Sequence, residues 1–278
     1  MANTGPTLTV DVLDPEVIAG DVQTAATKAL VIAPLIKVDT TLEGKPGSTV
    51  TLPRYKSIGM ATRLAETDRI VPKKLELESA EVKIREAGDG LSFTDQSLAV
   101  SFGDPVSEAT TQLGNAIAER IEYDVIEAAT KDLGTKYNLN SKATNVLDWE
   151  TIVKAKALFG DKGYNSLGGL VVNTATFASL LLDDDFKADT RAQGDAATDG
   201  IVTTASGLKI YVTDFINDVD PKLSSLILRK DAMALYWKTR PHISTDRDIY
   251  ARTLEMAIST IYAPFRANDN GVVAIHNA

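Results

Sequence analysis

The stretch DPVSEATTQLGNAIAERIEYDVIEAATKDLG, residues 104–134, decides how the rest of this chain is read. Asp104 suits a helix N-cap, Pro105 the first helical position, and Glu108 puts a negative charge in the first turn. Val106, Ala109, Leu113, Ile117, Ile121, Val125 and Ala128 then recur at spacings of three or four, which makes one apolar stripe. Gly134 supplies a stop. A helix from Asp104 to about Leu133 spans roughly 40 Å, long for a core element and suited to a structural spine.

Upstream, apolar residues recur with period two: Val50 and Leu52 mark one strand, Leu75, Leu77, Val82 and Ile84 its return. The alternation changes phase near Ser79-Ala80, which predicts a bulge or bend there. The segment reads as a long two-stranded hairpin over residues 39–90. Its far end, Arg54 to Lys74, is charged and carries few large apolar residues. A lone hairpin is marginally stable in water, so this one is expected to rest on neighbouring subunits. Arg54, Lys56, Arg63, Glu66, Arg69, Lys73 and Lys74 are the candidate inter-subunit contacts. Before the hairpin, Pro6, Pro15 and Pro34 break an apolar stretch (Leu8, Val10, Val12, Leu13, Val17, Ile18 and on to Ile36) into short pieces. Residues 1–38 therefore read as an arm, with a short helix near Glu16 to Leu30.

Downstream of the spine, which sits in a block at 91–140, residues 141–234 alternate helix and strand. Asp148 can cap a helix that runs through Ile152, Val153 and Leu158 to Gly160; Gly169 to Asn173 reads as a strand, Thr174 to Leu182 as a helix and Leu208 to Thr213 as a strand. Asp183 to Gly200 suits an exposed loop. Leu223 to Arg229 and Ala232 to Trp237 look like a hairpin pair about Lys230-Asp231. In residues 235–278 a long strand is expected through Ile249, Leu254, Met256, Ile258 and Ile261. Asn268-Asp269-Asn270-Gly271 then reads as a hairpin turn before Val272, Val273 and Ile275. The class is α+β.

Composition limits the chemistry. Acidic residues outnumber basic ones, 38 to 29, with no Lys/Arg-rich block, so tight phosphate-driven binding of nucleic acid is not expected. With no cysteine there is no disulfide or thiolate site, and two histidines, His242 and His276, are too few for an ordinary His-based zinc site. No long apolar run or signal-like start appears, so the expected place of synthesis is a cytoplasm. Gly44-Lys45-Pro46-Gly47-Ser48-Thr49 has the letters of a phosphate loop without its spacing and reads as a turn. Asp183-Asp184-Asp185, and Asp214 with Asp218 and Asp220, lack the glycine and distal Glu of a calcium loop and read as solvated acidic loops. Neither histidine has triad spacing, no nucleophile elbow occurs, and Trp149 and Trp237 read as core anchors. No catalytic residue, cofactor or metal site is expected.

This order of parts resembles the major capsid proteins of tailed bacteriophages, with their Hong Kong 97-type fold. Val38-Asp39 through Gly47-Ser48-Thr49-Val50-Thr51-Leu52-Pro53 resembles the start of that family's extended loop, and Gly103-Asp104-Pro105 the approach to its spine helix. Leu170-Val171-Val172-Asn173 and Gly207 to Thr213 are similar to its axial core, and Ala232 to Trp237 with Val272 to Ile275 to its return strands. The resemblance implies an N-arm (1–38), an extended loop (39–90), a peripheral domain (91–140 and 235–278) and an axial domain (141–234). It further implies self-assembly into hexamers and pentamers of an icosahedral head in the virion, built in the bacterial host and enclosing double-stranded DNA that it touches weakly. The expected partners are copies of itself, a separate scaffolding protein, a portal and a decoration protein. Some members join the loop to a neighbour by a Lys–Asn isopeptide bond. Lys56, Lys73 and Lys74 stand in corresponding territory, although lysines in an exposed hairpin need no such role. Two alternatives remain: an encapsulin-like compartment shell, which would enclose protein cargo, and an unrelated α+β enzyme, which would show a polar pocket.

Overall fold

The computed structural model describes residues 30–43, 49–55, 61, 63–64, 69–70, 72–75, 77–134, 137–141, 146–160, 166–187, 204–230 and 232–277. The helix expected near Glu16 to Leu30, residues 44–48 of the phosphate-loop-like turn, and residues 188–200 of the acidic loop lie outside them.

The strands are β1 (Ile36–Asp39), β2 (Thr49–Tyr55), β3 (Leu77–Lys83), β4 (Arg85–Thr94), β5 (Asn138–Asn140), β6 (Leu167–Val172), β7 (Thr204–Ala205), β8 (Leu208–Val212), β9 (Leu223–Arg229), β10 (Met233–Asp248), β11 (Thr253–Arg266) and β12 (Val272–His276). The helices are α1 (Asp95–Val100), α2 (Pro105–Thr130), α3 (Trp149–Ala157), α4 (Thr174–Leu182) and α5 (Phe215–Val219). They build a four-stranded sheet in the order β1-β10-β11-β4, a six-stranded sheet in the order β5-β12-β9-β6-β8-β7, and the separate ribbon β2-β3.

The spine α2 starts where its cap was expected: Asp104 Oδ1 accepts the N–H groups of Val106 (3.1 Å) and Ser107 (3.2 Å). Its buried stripe includes Ala109, Leu113, Ile117, Ile121 and Val125 and serves both sheets at once. Met256, Ile258 and Tyr262 come from the four-stranded sheet, and Ile216, Leu226 and Leu228 from around the six-stranded one. The opposite face of the six-stranded sheet, with Leu170, Val172 and Ile227, packs on Ile152 of α3 and Leu180 of α4. Strands β6 and β9 are thus apolar on both sides, as strands between two layers are.

The helix ends at Thr130, earlier than the expected Leu133, and it is Asp132, not Gly134, that takes a positive φ, of 54°. Arg266 of β11 explains the early end. Its guanidinium donates to the carbonyls of Ala129 (3.0 Å), Lys131 (2.6 Å) and Asp132 (3.2 Å), so a tertiary cap satisfies the orphan helix-end acceptors.

Five further expectations are corrected. The β2–β3 register runs unbroken from Thr49↔Lys83 to Tyr55↔Leu77, with no bulge at Ser79-Ala80 and with Leu75 outside the strand. Leu223–Arg229 and Met233–Asp248 do not pair: β9 belongs to the six-stranded sheet, β10 to the four-stranded one. Ile249 is in the turn between β10 and β11, not within a strand. The Asn268–Gly271 turn is no hairpin either, because β12 pairs with β9 and not with β11. The end of the expected arm also belongs to the body. Leu30, Ile32 and Leu35 are in the main core, and β1 pairs parallel with β10.

Both turns carry the chain between sheets, and they lock onto each other. The N–H groups of Ala267 (2.9 Å) and Asn268 (3.4 Å) donate to the carbonyl of Ala232. Gly271 does not adopt positive φ; it is needed for closeness, since a Cβ there would lie 2.7 Å from that of Ala232. Gly271→Ala is therefore expected to cost about 1–3 kcal/mol in denaturant unfolding, the usual range for overpacking. An unchanged midpoint would contradict this account of the crossover.

Candidate assembly surface and its anchor

Strand β3 of the ribbon runs into β4 of the body through one residue, Ile84, between Lys83 and Arg85. At this root Val82 and Ile84 pack on Ala263, Phe265 and Tyr236. The rings of Tyr236 and Phe265 lie 6.4 Å apart. Directly beyond, an ionic cluster fixes the ribbon to the spine. Arg85 Nη1 is 2.9 Å from Asp124 Oδ1 and 2.5 Å from Glu127 Oε2, Arg120 Nη2 is 2.8 Å from the same Asp124 oxygen, and the Tyr262 hydroxyl donates to Asp124 Oδ2 at 2.7 Å. Asp124 is buried, while Arg85 and Arg120 keep contact with solvent. Burial works against the charge on Arg85, but Glu127 and Asp124 outweigh it and raise its pKa. Burial, reinforced by Asp124, raises that of Tyr262. The carboxylate therefore holds three groups from three elements, α2, β4 and β11.

Neither Asp124 nor Glu122 is assigned a role from sequence. The signal was present, since the 3.6-residue period places Asp124 within the arc of Leu113, Ile117 and Ile121. Glu122 joins another three-way junction. Its Oε2 accepts the N–H of Val31 at 3.3 Å, Thr213 hydrogen-bonds it, and Oε1 is buried with no partner. Burial pushes this carboxyl above the ordinary glutamate range, Thr213 and Val31 oppose the shift, and Glu119 adds to it.

Of the candidate contacts, Arg63, Arg69, Lys73 and Lys74 are exposed and outside regular structure, beside the exposed apolar residues Leu64, Ile70 and Leu75. Arg54 lies on β2 opposite Glu78, and Lys56 and Glu66 fall outside the described residues. A second exposed apolar group escaped the sequence reading. Val100 ends α1 and Phe102 follows it, and Ile249 and Tyr250 lie in the β10–β11 turn, at the same end of the four-stranded sheet. Arg247 Nη2 contacts both Asp95 oxygens at 3.1 and 3.0 Å, and the Asp95 N–H donates to the Arg252 carbonyl at 2.9 Å, which ties these two elements together.

The acidic runs have local structural work. Asp183 accepts from the Trp149 N–H (2.9 Å) and the Asp185 N–H (3.0 Å), Asp184 pairs with Lys187 (3.0 Å), and Asp214 accepts from Thr174. No metal-competent cluster occurs among the described residues, and none of their helices is long and apolar enough to cross a membrane. Trp149 packs near Phe186 and Trp237 against Tyr262, as core anchors do.

A family model described as phage capsid protein matches residues 78–275, from the return strand of the ribbon to the last strand. The chain belongs to the phage capsid protein family. The capsid protein is 28% identical over 273 residues to the major capsid protein of Staphylococcus phage phiMR11, covering 98% of this chain and 96% of that one. Its fold matches the capsid of Cyanophage P-SCSP1u with a TM-score of 0.68 at 12% identity, over 88% of this chain and 86% of the other. It matches the Cyanophage Pam1 capsid with a TM-score of 0.67 at 14% identity, over 89% and 92%. The fold is the Hong Kong 97-type capsid fold, which sets aside an unrelated enzyme fold.

The folded capsid protein binds the Glu122 proton more tightly than the unfolded chain does. Its ionisation therefore costs stability as pH rises from the ordinary glutamate range through the raised folded value, and nothing below that range. Glu122→Gln removes the cost. Its melting temperature is expected to match the parent in acid and to exceed it at neutral pH, by thermal unfolding from about pH 4 to about pH 8. A pH-independent difference would contradict the assignment.

Proposed function

We propose that this capsid protein closes the wall of an icosahedral phage head, as hexamers and pentamers of itself around double-stranded DNA. The observation that carries the reading is the ribbon β2–β3. Its root is anchored by Val82, Ile84 and Arg85, while the described residues of its far end are exposed, basic and partly apolar. Such an element gains its stability from a surface supplied by another copy. Each exposed ion pair contributes only about 0–1 kcal/mol, so repetition over the shell, with apolar contacts beneath, supplies the strength.

The work of the protein is mechanical and not catalytic. The net charge of -9 suits a wall that lets packaged DNA slide, with no dense set of phosphate contacts. A scaffolding protein, a portal and a decoration protein are the partners that this role calls for.

Electron microscopy of the purified protein is expected to show closed shells. Arg63→Glu or Arg69→Glu is expected to lower shell yield more than Asp184→Lys, because Asp184 is already engaged with Lys187 at a surface remote in sequence from the ribbon. A stable monomer with its ribbon folded on its own core, or equal yields from all three variants, would contradict the reading.

A further inference from the structure

The sequence contains a single Asn-Gly pair, Asn270-Gly271. Asparagine followed by glycine is the pairing most open to intramolecular deamidation, because no side chain on the second residue screens the carboxamide from the backbone nitrogen. The reaction needs no co-reactant but water. The Gly271 nitrogen gives its proton to solvent base and attacks Asn270 Cγ. A C–N bond forms, the bond from Cγ to the side-chain nitrogen breaks, and that nitrogen leaves as ammonia after taking a proton from water. Water then opens the cyclic imide at either carbonyl. One product is aspartate with the backbone unchanged; the other is isoaspartate, whose backbone runs through the side-chain carbon and is longer.

The fold fixes the glycine that creates this liability. A Cβ at position 271 would lie 2.7 Å from that of Ala232, so the crossing of the chain between sheets leaves no room for a larger residue. Asn270 is exposed to the water that hydrolysis consumes, although Gly271 is buried. What the structure does is engage both reacting groups. The Gly271 N–H donates to the Asn268 carbonyl at 3.0 Å. Asn270 Oδ1 accepts the Tyr137 hydroxyl at 2.6 Å, a contact across 133 positions of sequence. The Asn270 N–H donates to Asn268 Oδ1 at 3.0 Å, which closes the 3₁₀ turn Asp269–Gly271 around the pair.

We propose that Asn270 is a deamidation site of this capsid protein, held latent by the closed turn, and that Tyr137 is the residue that guards it. The guard has an anchored backbone, since the Tyr137 N–H donates to the Gly134 carbonyl at 2.9 Å just beyond the spine. Ring closure needs the Gly271 nitrogen released from Asn268 and the carboxamide released from Tyr137, so conversion runs through the opened turn and its rate follows that local opening. The timing of the reaction matters. A chain that converts to isoaspartate before it folds brings a longer backbone to a crossover with no space for one added methyl group.

The test follows isoaspartate and aspartate at position 270 by peptide mapping of the full-length protein held at mildly alkaline pH. The folded parent is expected to convert about tenfold more slowly, or slower still, than the same chain unfolded in urea. Tyr137→Phe keeps the ring and removes the hydroxyl. It is expected to speed conversion in the folded protein about two- to tenfold, the worth of one hydrogen bond, and to leave the unfolded rate unchanged. Ile152→Val, in the core on the far side of the six-stranded sheet, destabilises by a comparable amount and is expected to leave the folded rate at the parent's. If Tyr137→Phe does not fold, Asn268→Ala, which removes the side-chain acceptor of the turn, is expected to speed conversion in its place. Equal folded and unfolded rates would overturn the latent site. A folded rate that the Tyr137 variant leaves unchanged or lowers, or that Ile152→Val raises equally, would overturn the guard.

Discussion

A two-stranded ribbon cannot bury itself. Each of its strands has one hydrogen-bonded neighbour, and stability needs a third strand or a covering layer. Among the described residues, the body supplies that cover at the root, through Val82, Ile84 and the ionic hub at Asp124. The hub resolves a conflict: the ribbon must be held firmly at one end, while its other end stays available. A buried carboxylate contacting two guanidiniums and a tyrosine hydroxyl gives directional fixation that apolar packing alone does not.

The body itself depends on one helix that faces two sheets. The spine stripe draws Met256 and Ile258 from one side and Leu226 and Leu228 from the other into a single core. Two short crossovers then carry the chain between sheets, and Ala232 and Gly271 meet where they pass. Glu122 extends the same logic to the start of the described chain, since its carboxylate joins the spine to Val31 and to Thr213 beyond β8. Root, spine and sheets are thereby joined through Asp124 and Glu122.

Local signals in the sequence were read correctly where local physics decides the outcome. Asp104-Pro105 starts the spine, Thr174 to Leu182 is a helix, and the apolar stripe faces the core. Errors arose where the outcome depends on distant residues. Asn270-Gly271 marks a turn, but a turn does not say which sheet the next strand enters, and β12 finds β9 about forty residues earlier in the chain. The helix end moved because Arg266 reaches it from β11. Asp124 was overlooked because its value lies in Arg85 and Tyr262, neither of which is near it in sequence. The candidate contacts on the ribbon rest on charge and period alone, whereas the row of Asp246, Glu255 and Ser92 exists only in the register of three strands.

What unites these features is a division between a core that one chain completes and a ribbon that it does not. Hydrogen exchange, followed residue by residue in the free subunit and in closed shells, measures that division directly. The account expects the spine amides of residues 109–126 to be protected in both states. Those of β2 and β3 should exchange quickly in the free subunit and slowly in the shell. Ribbon amides as protected in the free subunit as those of the spine would contradict it.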